Sequence, residues 1–551
     1  MKLKKKQVFY ATNVSDPFPV SASFSLTAQE QYQGDPGESE SSSSESPEPM
    51  DQDENTGGGQ RQAVSPINSA GSDKSEIFEP DDQPEYFEVW SSDATSEDEE
   101  EEELEQKSAR PKRVDEWSET MSKDRITTLT YNGIPGIQLL DTERKYTVLE
   151  CFKLFVDDAL IKLMVIETNK HARSKFVRYG YHEGFLSGWL DVDFKEMSQF
   201  LGLLIFMGFK RFPETSCYWS TERMYRMSVA CRIFTQTRFH RILAFWHFGT
   251  EGSDTVLAKI NPLISRLNTN YRKYKEPDQI LYVGRSTVCL RNKYIFEPSL
   301  GAVKKGSKIL KVIDQDGYTY KTKILKTGAG RREQTMADVL QVLDGFLNQG
   351  RLIIFHNLWI GLDLAEKLLS CKCHSIGMIR KNSRGASKEL LSRSIQDGDL
   401  VGVQNPQGIS IMKWQLSGVE YFGISTCHSL ETPPQKKPAK SQSESTTNPE
   451  ESQVPTFLRD IALSESIFDM HEKFNVNTSP VNEQVKWYQR FAYDAIVNTA
   501  TVNALVLYKA LNNETIKMWD FRDKLFRELV DIKQLPSVSS DDEAEEPDLE
   551  D

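Results

Sequence analysis

Residues 351–369 read RLIIFHNLWIGLDLAEKLL. The stretch 351–357 is a short apolar run placed directly after Gly350, which suits a buried strand. A helical stretch follows His356, and CKCHSIGMIRKN at 371–382 reads as the next strand. Cys371, Cys373 and His374 could alternatively be metal ligands. Metal sites usually separate cysteines by two or more residues and need four ligands, so the strand is the favoured reading.

Upstream, SKILKVIDQDGYTYKTKIL at 307–325 alternates around the turn-forming residues 314–317 and predicts a β-hairpin. Asp314 and Asp316 read as turn chemistry beside Gly317. Downstream, ASKELLSRSI starts a short helix, and LVGVQNP, ISIMKWQL and GVEYFGIST predict a small β unit over 400–425. The region 141–270 is helical in pattern. In FKLFVDDALIKLMV, Phe155, Leu160, Ile161, Met164 and Val165 share one face, and 193–209 repeats the pattern. The nearly all-apolar FAYDAIVNTATVNALVLYKAL at 491–511 returns to helix.

The chain has 551 residues and a net charge of −14, unevenly placed. Residues 1–120 hold 10 Lys/Arg and 29 Asp/Glu, a net of −19. Residues 536–551 hold eight acidic residues and no basic ones. The remaining 121–535 carry 57 basic and 44 acidic residues, a net of +13. A basic body between two acidic tails keeps a nucleic-acid partner open. The tails, with SESSSSESPEPMDQDE and SEDEEEEELEQ, cannot bury enough apolar surface to offset chain entropy and are expected to be disordered. The polar loop at 431–455 is expected to be mobile.

The start, MKLKKKQVFYATN, lacks the apolar run of a signal peptide. The longest strongly apolar stretch, 200–209, is roughly half of what spans a bilayer, so no membrane partner is expected. Seven scattered cysteines without a secretion signal predict reduced thiols. Lys107, Arg110, Lys112 and Arg113 in KSARPKRV form a candidate nuclear import cluster, or a plain solvated basic patch. Lys304, Lys305, Lys308, Lys311, Lys321, Lys323 and Lys326 cluster on the hairpin, followed by Arg331 and Arg332 and then Arg380, Lys381 and Arg384. Such residues neutralise phosphates in a salt-dependent way, or else form an ordinary solvated surface.

Several motifs together resemble the piggyBac transposase family over most of 150–515. They are FKLFVDDALIKLMVIETNKHA, FLGLLIFMGFKRFPETSCYWS, RFHRILAFWHF, INPLISRLNTNYRKYKEP and KWYQRFAYDAIVNTATVNALVLYK. The resemblance implies an α/β fold. It has an RNase H-like core with a small β insertion, flanked by a helical domain assembled from N- and C-terminal segments. The expected divisions are a disordered region at 1–120, helical segments at 121–279 and 481–535, core segments at 280–390 and 456–480, a β-rich insertion and polar loop at 391–455, and a disordered tail at 536–551.

Active members hold two divalent metals with three Asp and often a fourth, a donor set suited to Mg²⁺. Carried over by motif, Gly284 in LYVGRSTVCLRNK takes the first Asp position, with Arg285 after it. His356 takes the second, and Asn357 is retained. Asp469 and Glu472 in SIFDMHE take the third and fourth. Gly284 offers no ligand, and His356 offers a nitrogen less suited to Mg²⁺. Every cysteine precedes the polar loop at 431–455, so the family's C-terminal cysteine-rich zinc domain is not expected here. By the same resemblance Trp487 stands near the DNA path, where it would stack on a base unless it is a core residue.

The leading expectation is a domesticated, catalytically inactive nuclear protein without a cofactor, acting on DNA, chromatin or protein partners. A homodimer is compatible with it. The alternatives are an interaction scaffold that recruits basic partners through acidic tails, and an active recombinase with a relocated Mg²⁺ site.

Overall fold

A computed structural model of the protein describes residues 116–179, 189–220, 222, 228–249, 256–297, 301–325, 331–416, 418–429, 455–474, 481 and 485–531. These all fall in one contact unit, and the other unit, Leu26–Asp82, lies outside them. Also outside lie the import cluster, Lys326, the polar loop from 430 to 454, the acidic tail, and the side chains of Lys304, Lys305, Arg331 and Arg332.

The described chain opens inside the region 1–120 expected to be disordered, where, as a correction, the Ser118 amide donates to the Gln404 carbonyl at 3.0 Å and Trp117 Nε1 to the Gly385 carbonyl at 3.1 Å. A short strand β1 (Gly136–Ile137) follows, then helices α1 (Val148–Lys153), α2 (Asp158–Tyr179), α3 (Phe194–Phe209), α4 (Ser228–Ile233), α5 (Gln236–Phe245) and α6 (Asn261–Tyr274). Thr147 and Glu150 form a reciprocal capping box at α1. The expected single helix through 152–165 is broken, because Asp157 caps α2 by accepting the Leu160 amide at 2.8 Å. Phe155 therefore lies in a turn, still fully buried. The middle of α3 is apolar on every side, which requires burial all round.

The sheet follows: β2 (Lys275–Glu276), β3 (Ile280–Glu297), β4 (Gly301–Ile313), β5 (Thr319–Ile324), α7 (Arg331–Val342), β6 (Arg351–Trp359), α8 (Leu362–Ser370), β7 (Cys373–Met378), α9 (Lys388–Ser392), β8 (Leu400–Gln404), β9 (Ser410–Leu416) and β10 (Val419–Ser425). The C-terminal part contains α10 (Thr456–Phe474), α11 (Trp487–Tyr493), a π-helical turn (Asp494–Ala500), α12 (Thr501–Asn512) and α13 (Met518–Leu529). Among the described residues, eight strands form one sheet in the order β5-β4-β3-β6-β7-β10-β9-β8. Strands β3, β6 and β7 run parallel, and the other pairings are antiparallel. The hairpin turn uses Gly317 at φ +78°, and the Gly317 amide donates to the Asp314 carbonyl at 3.0 Å.

The small β unit expected over 400–425 extends the main sheet, because β10 pairs with β7. This covers an edge that would otherwise leave backbone groups unpaired.

The sheet is buried on both faces, as near-continuous apolar strands require. Leu281, Val283, Ile353 and Phe355 point into the large core shared with the helices. Tyr282 and Ile354 point the other way, into a second core closed by Phe457, Ile467 and Phe468 of α10. The N- and C-terminal helices pack together on the first face, α12 against α1 and α13 against α3 and α1.

Candidate functional site

The two sequence positions singled out on β3 and β6 meet. Gly284 and His356 are register partners across the parallel pair, near where that pairing ends at the carboxyl side of the strands. By strand periodicity both lie on the α10 face, with Tyr282 and Ile354. Carboxyl ends of parallel strands are where sheets of this kind place ligands.

The space in front of them is filled by a phenyl ring. The Phe468 ring stacks on the His356 imidazole with centroids 4.6 Å apart and planes 10° from parallel. A Cβ built at Gly284 would come closer than 3.0 Å to three atoms of that ring. Phe468 itself is 2% exposed. Burial pushes the His356 imidazole down to about 4, so it is neutral at physiological pH. Asp469, one residue on, is exposed, and Glu472 is half-buried. Burial, then the Asp469 charge, raises the carboxyl of Glu465 on the same helix.

Across β4, Gly284 pairs with Lys311. Lys311 is fully buried, which removes it from the candidate phosphate-binding residues. Its Nζ lies 3.3 Å from Asp494 Oδ2, donates to Thr499 Oγ1 at 3.1 Å and sits 3.4 Å from His471 Nε2. Burial first, then this ammonium, lowers the His471 imidazole to about 3. Asp314 is also engaged elsewhere. It accepts Lys275 Nζ at 2.6 Å and Tyr320 Oη at 2.8 Å, while Asp316 accepts Lys275 Nζ at 2.7 Å.

Trp487 is 8% exposed and packs edge-on against Tyr488 and Phe491. The core reading of this Trp therefore replaces base stacking, since the helix start that carries it is buried throughout. Lys308 is half-buried and donates to Thr287 Oγ1 at 2.9 Å. Lys381 is exposed beside Glu420 at 3.2 Å, and Arg380 and Arg384 are half-buried. Cys373 is buried in β7, and His374 Nδ1 lies 3.1 Å from Thr426 Oγ1.

Lys321 and Lys323 line a polar groove of about 550 Å³ with Arg272 and Lys273 of α6. Lys321 donates to the Gln341 carbonyl at 2.7 Å, and Lys323 lies 2.5 Å from Asp338. Sequence reasoning missed Arg272 and Lys273, although the last turn of an amphipathic helix beside a basic hairpin is a readable signal. It also missed Phe468. The available signal was the bulky apolar pair Ile467–Phe468 directly before Asp469.

A family model described as Transposase IS4 matches residues 147–505, more than half of the chain. Human piggyBac transposable element-derived protein 2 is 29% identical over 139 residues, covering 24% of this chain and 22% of its own. Human piggyBac transposable element-derived protein 5 is 28% identical over 136 residues, covering 24% and 25%. Human piggyBac transposable element-derived protein 3 is 26% identical over 171 residues, covering 30% and 27%. The chain thus spans about a quarter of the length of these curated relatives. A cryo-EM structure of a piggyBac transposase synaptic complex with hairpin DNA superposes with a TM-score of 0.57 at 16% identity, covering 74% of this chain and 86% of that one. That likeness is one of fold. The family match runs from the cap of α1 through the whole sheet and into α12, and by it, together with the piggyBac-derived relatives, the chain belongs to the piggyBac transposase family.

Proposed function

We propose that this chain is a transposase-derived nuclear protein that no longer performs strand transfer and acts by binding DNA or chromatin. The order β5-β4-β3-β6-β7, antiparallel up to β3 and parallel after it, supports reading the sheet as RNase H-like. The observation that carries the loss of catalysis is the Phe468 ring lying on His356 and over Gly284. A two-metal centre needs carboxylates converging on both cations. Here that place holds a glycine, a neutral imidazole and a phenyl ring, with the buried Lys311 ammonium alongside. A fixed cation repels Mg²⁺, and the exposed Asp469 does not replace the missing ligands. These residues do not fit the two metals of active relatives.

Binding is supported by the basic body and by the groove of Arg272, Lys273, Lys321 and Lys323. Phosphates there would be held by charge rather than by base identity, making affinity salt-dependent. The test combines plasmid nicking in Mg²⁺ or Mn²⁺ with duplex-binding anisotropy across a salt series. We expect no nicking above the Asp469→Ala control, and binding that Arg272→Glu/Lys273→Glu weakens. Metal-dependent nicking lost in Asp469→Ala would overturn the inactive reading. Absence of binding even at roughly 50 mM salt would overturn the DNA-binding one and favour a protein-interaction scaffold.

A further inference from the structure

The end of β10 carries a second constellation, on the same side of the sheet as α10. Cys427 Sγ lies 3.5 Å from His428 Nδ1. On the far side of the ring, His428 Nε2 lies 3.4 Å from Asp460 Oδ2 of α10. Ser425 Oγ sits 3.0 Å from Nδ1 and 3.6 Å from Sγ. It accepts the backbone amides of Cys427 at 3.2 Å and His428 at 3.1 Å, which occupies both of its lone pairs. With Nδ1 protonated, Sγ is the acceptor left for both the Nδ1–H and the Ser425 hydroxyl. Ser425 is fully buried, whereas Cys427 is half-buried.

The arrangement is fixed from several sides. Thr426 accepts the Ser375 amide at 2.8 Å and contacts His374 of β7, the other imidazole near His428. The Phe457 ring stands edge-on to His428. Burial alone would lower His428, but hydrogen bonds to Asp460 and Cys427 outweigh it and raise the imidazole to about 9. A thiol beside an imidazole that a carboxylate orients is the general pattern of an activated cysteine nucleophile.

We propose that Cys427 is a nucleophilic modification site, with His428 as the proton donor and Asp460 as the positioning residue, that forms mixed disulfides with low-molecular-weight disulfides. In this step Sγ bonds to one sulfur of the disulfide and the S–S bond breaks. The leaving sulfur departs with the electron pair and takes the proton from His428 Nδ1, while Nε2–H stays on Asp460. Cys427 is oxidised, and the departing half is reduced to a thiol.

The experiment treats the full chain with oxidised glutathione and follows each cysteine by mass spectrometry, with the exposed Cys231 as internal reference. Cys427 should react at least about tenfold faster than Cys231 near neutral pH, and the ratio should grow as pH falls from about 8 to about 6.5. His428→Gln and Asp460→Asn should bring the ratio near one and abolish its pH trend, and Asp460→Glu should restore most of it. A wild-type ratio near one overturns the site without any variant. An excess that persists in His428→Gln overturns the proton coupling.

Discussion

Gly284 shows how one missing side chain and one added ring depend on each other. The Phe468 ring occupies the space that any Cβ on Gly284 would need. Gly284→Ala should therefore cost about 1–3 kcal/mol by overpacking, and Phe468→Ala about 3–5 kcal/mol by cavity formation. In the double variant the new methyl enters the vacated space, so the denaturation midpoint should fall by clearly less than the two single effects combined. Additive losses would show that the two residues do not compete for one volume. His356 gives a second test at this scale. Its imidazole titrates at about 4 in the fold, against about 6.5 in the unfolded chain. The unfolded chain then binds protons that the folded chain does not, so stability falls as pH drops from about 6.5 to about 4. His471, lowered to about 3, adds to the same trend, whereas His428, raised to about 9, stabilises below about 6.5 and loses that contribution as pH rises through 9. His356→Phe keeps a ring on Phe468 and removes one titrating group. Its denaturant midpoint should drop less than wild type between pH 7 and about 4.5. Equal drops would exclude an imidazole held neutral in the fold.

At the scale of elements, α10 and the π-helical turn decide what faces the carboxyl ends of β3 and β6. Helix α10 turns Phe457, Ser464, Ile467, Phe468 and His471 inward, which leaves Asp469 outside. The π-turn adds a residue's worth of offset to an otherwise continuous helix, and it carries Asp494 and Thr499, the partners of Lys311. This pair holds β4 to the C-terminal helices inside the core. Lys311→Ala leaves Asp494 without its cation and should cost about 3–5 kcal/mol. Lys381→Ala, at the exposed pair with Glu420, should cost less than about 1 kcal/mol. Urea midpoints compare the two directly, and similar losses would contradict the burial of the Lys311 pair. None of this was legible in 307–325, where Lys311 reads as one more lysine of a basic hairpin.

For the whole molecule, the charge is divided between acidic ends and a basic body. Removing 1–115 and 536–551 should strengthen duplex binding at low salt, because the tails compete with phosphates for the same cations, and the gain should vanish as salt screens it. Unchanged affinity at low salt would reject such self-shielding. That division of charge, the strand–helix–strand around His356, the hairpin at Gly317 and the apolar C-terminal helices were all legible in the sequence, because periodicity, turn chemistry and composition are local properties. So was the absence of a carboxylate at 284 and 356. Four outcomes were not legible: the stacking of Phe468 on His356, the burial of Lys311 and Trp487, the joining of β10 to β7, and the meeting of His428 with Asp460. Each is a contact between segments far apart in the chain. The same lysine or tryptophan reads alike in sequence whether it faces water or core, and only packing determines which neighbour it meets.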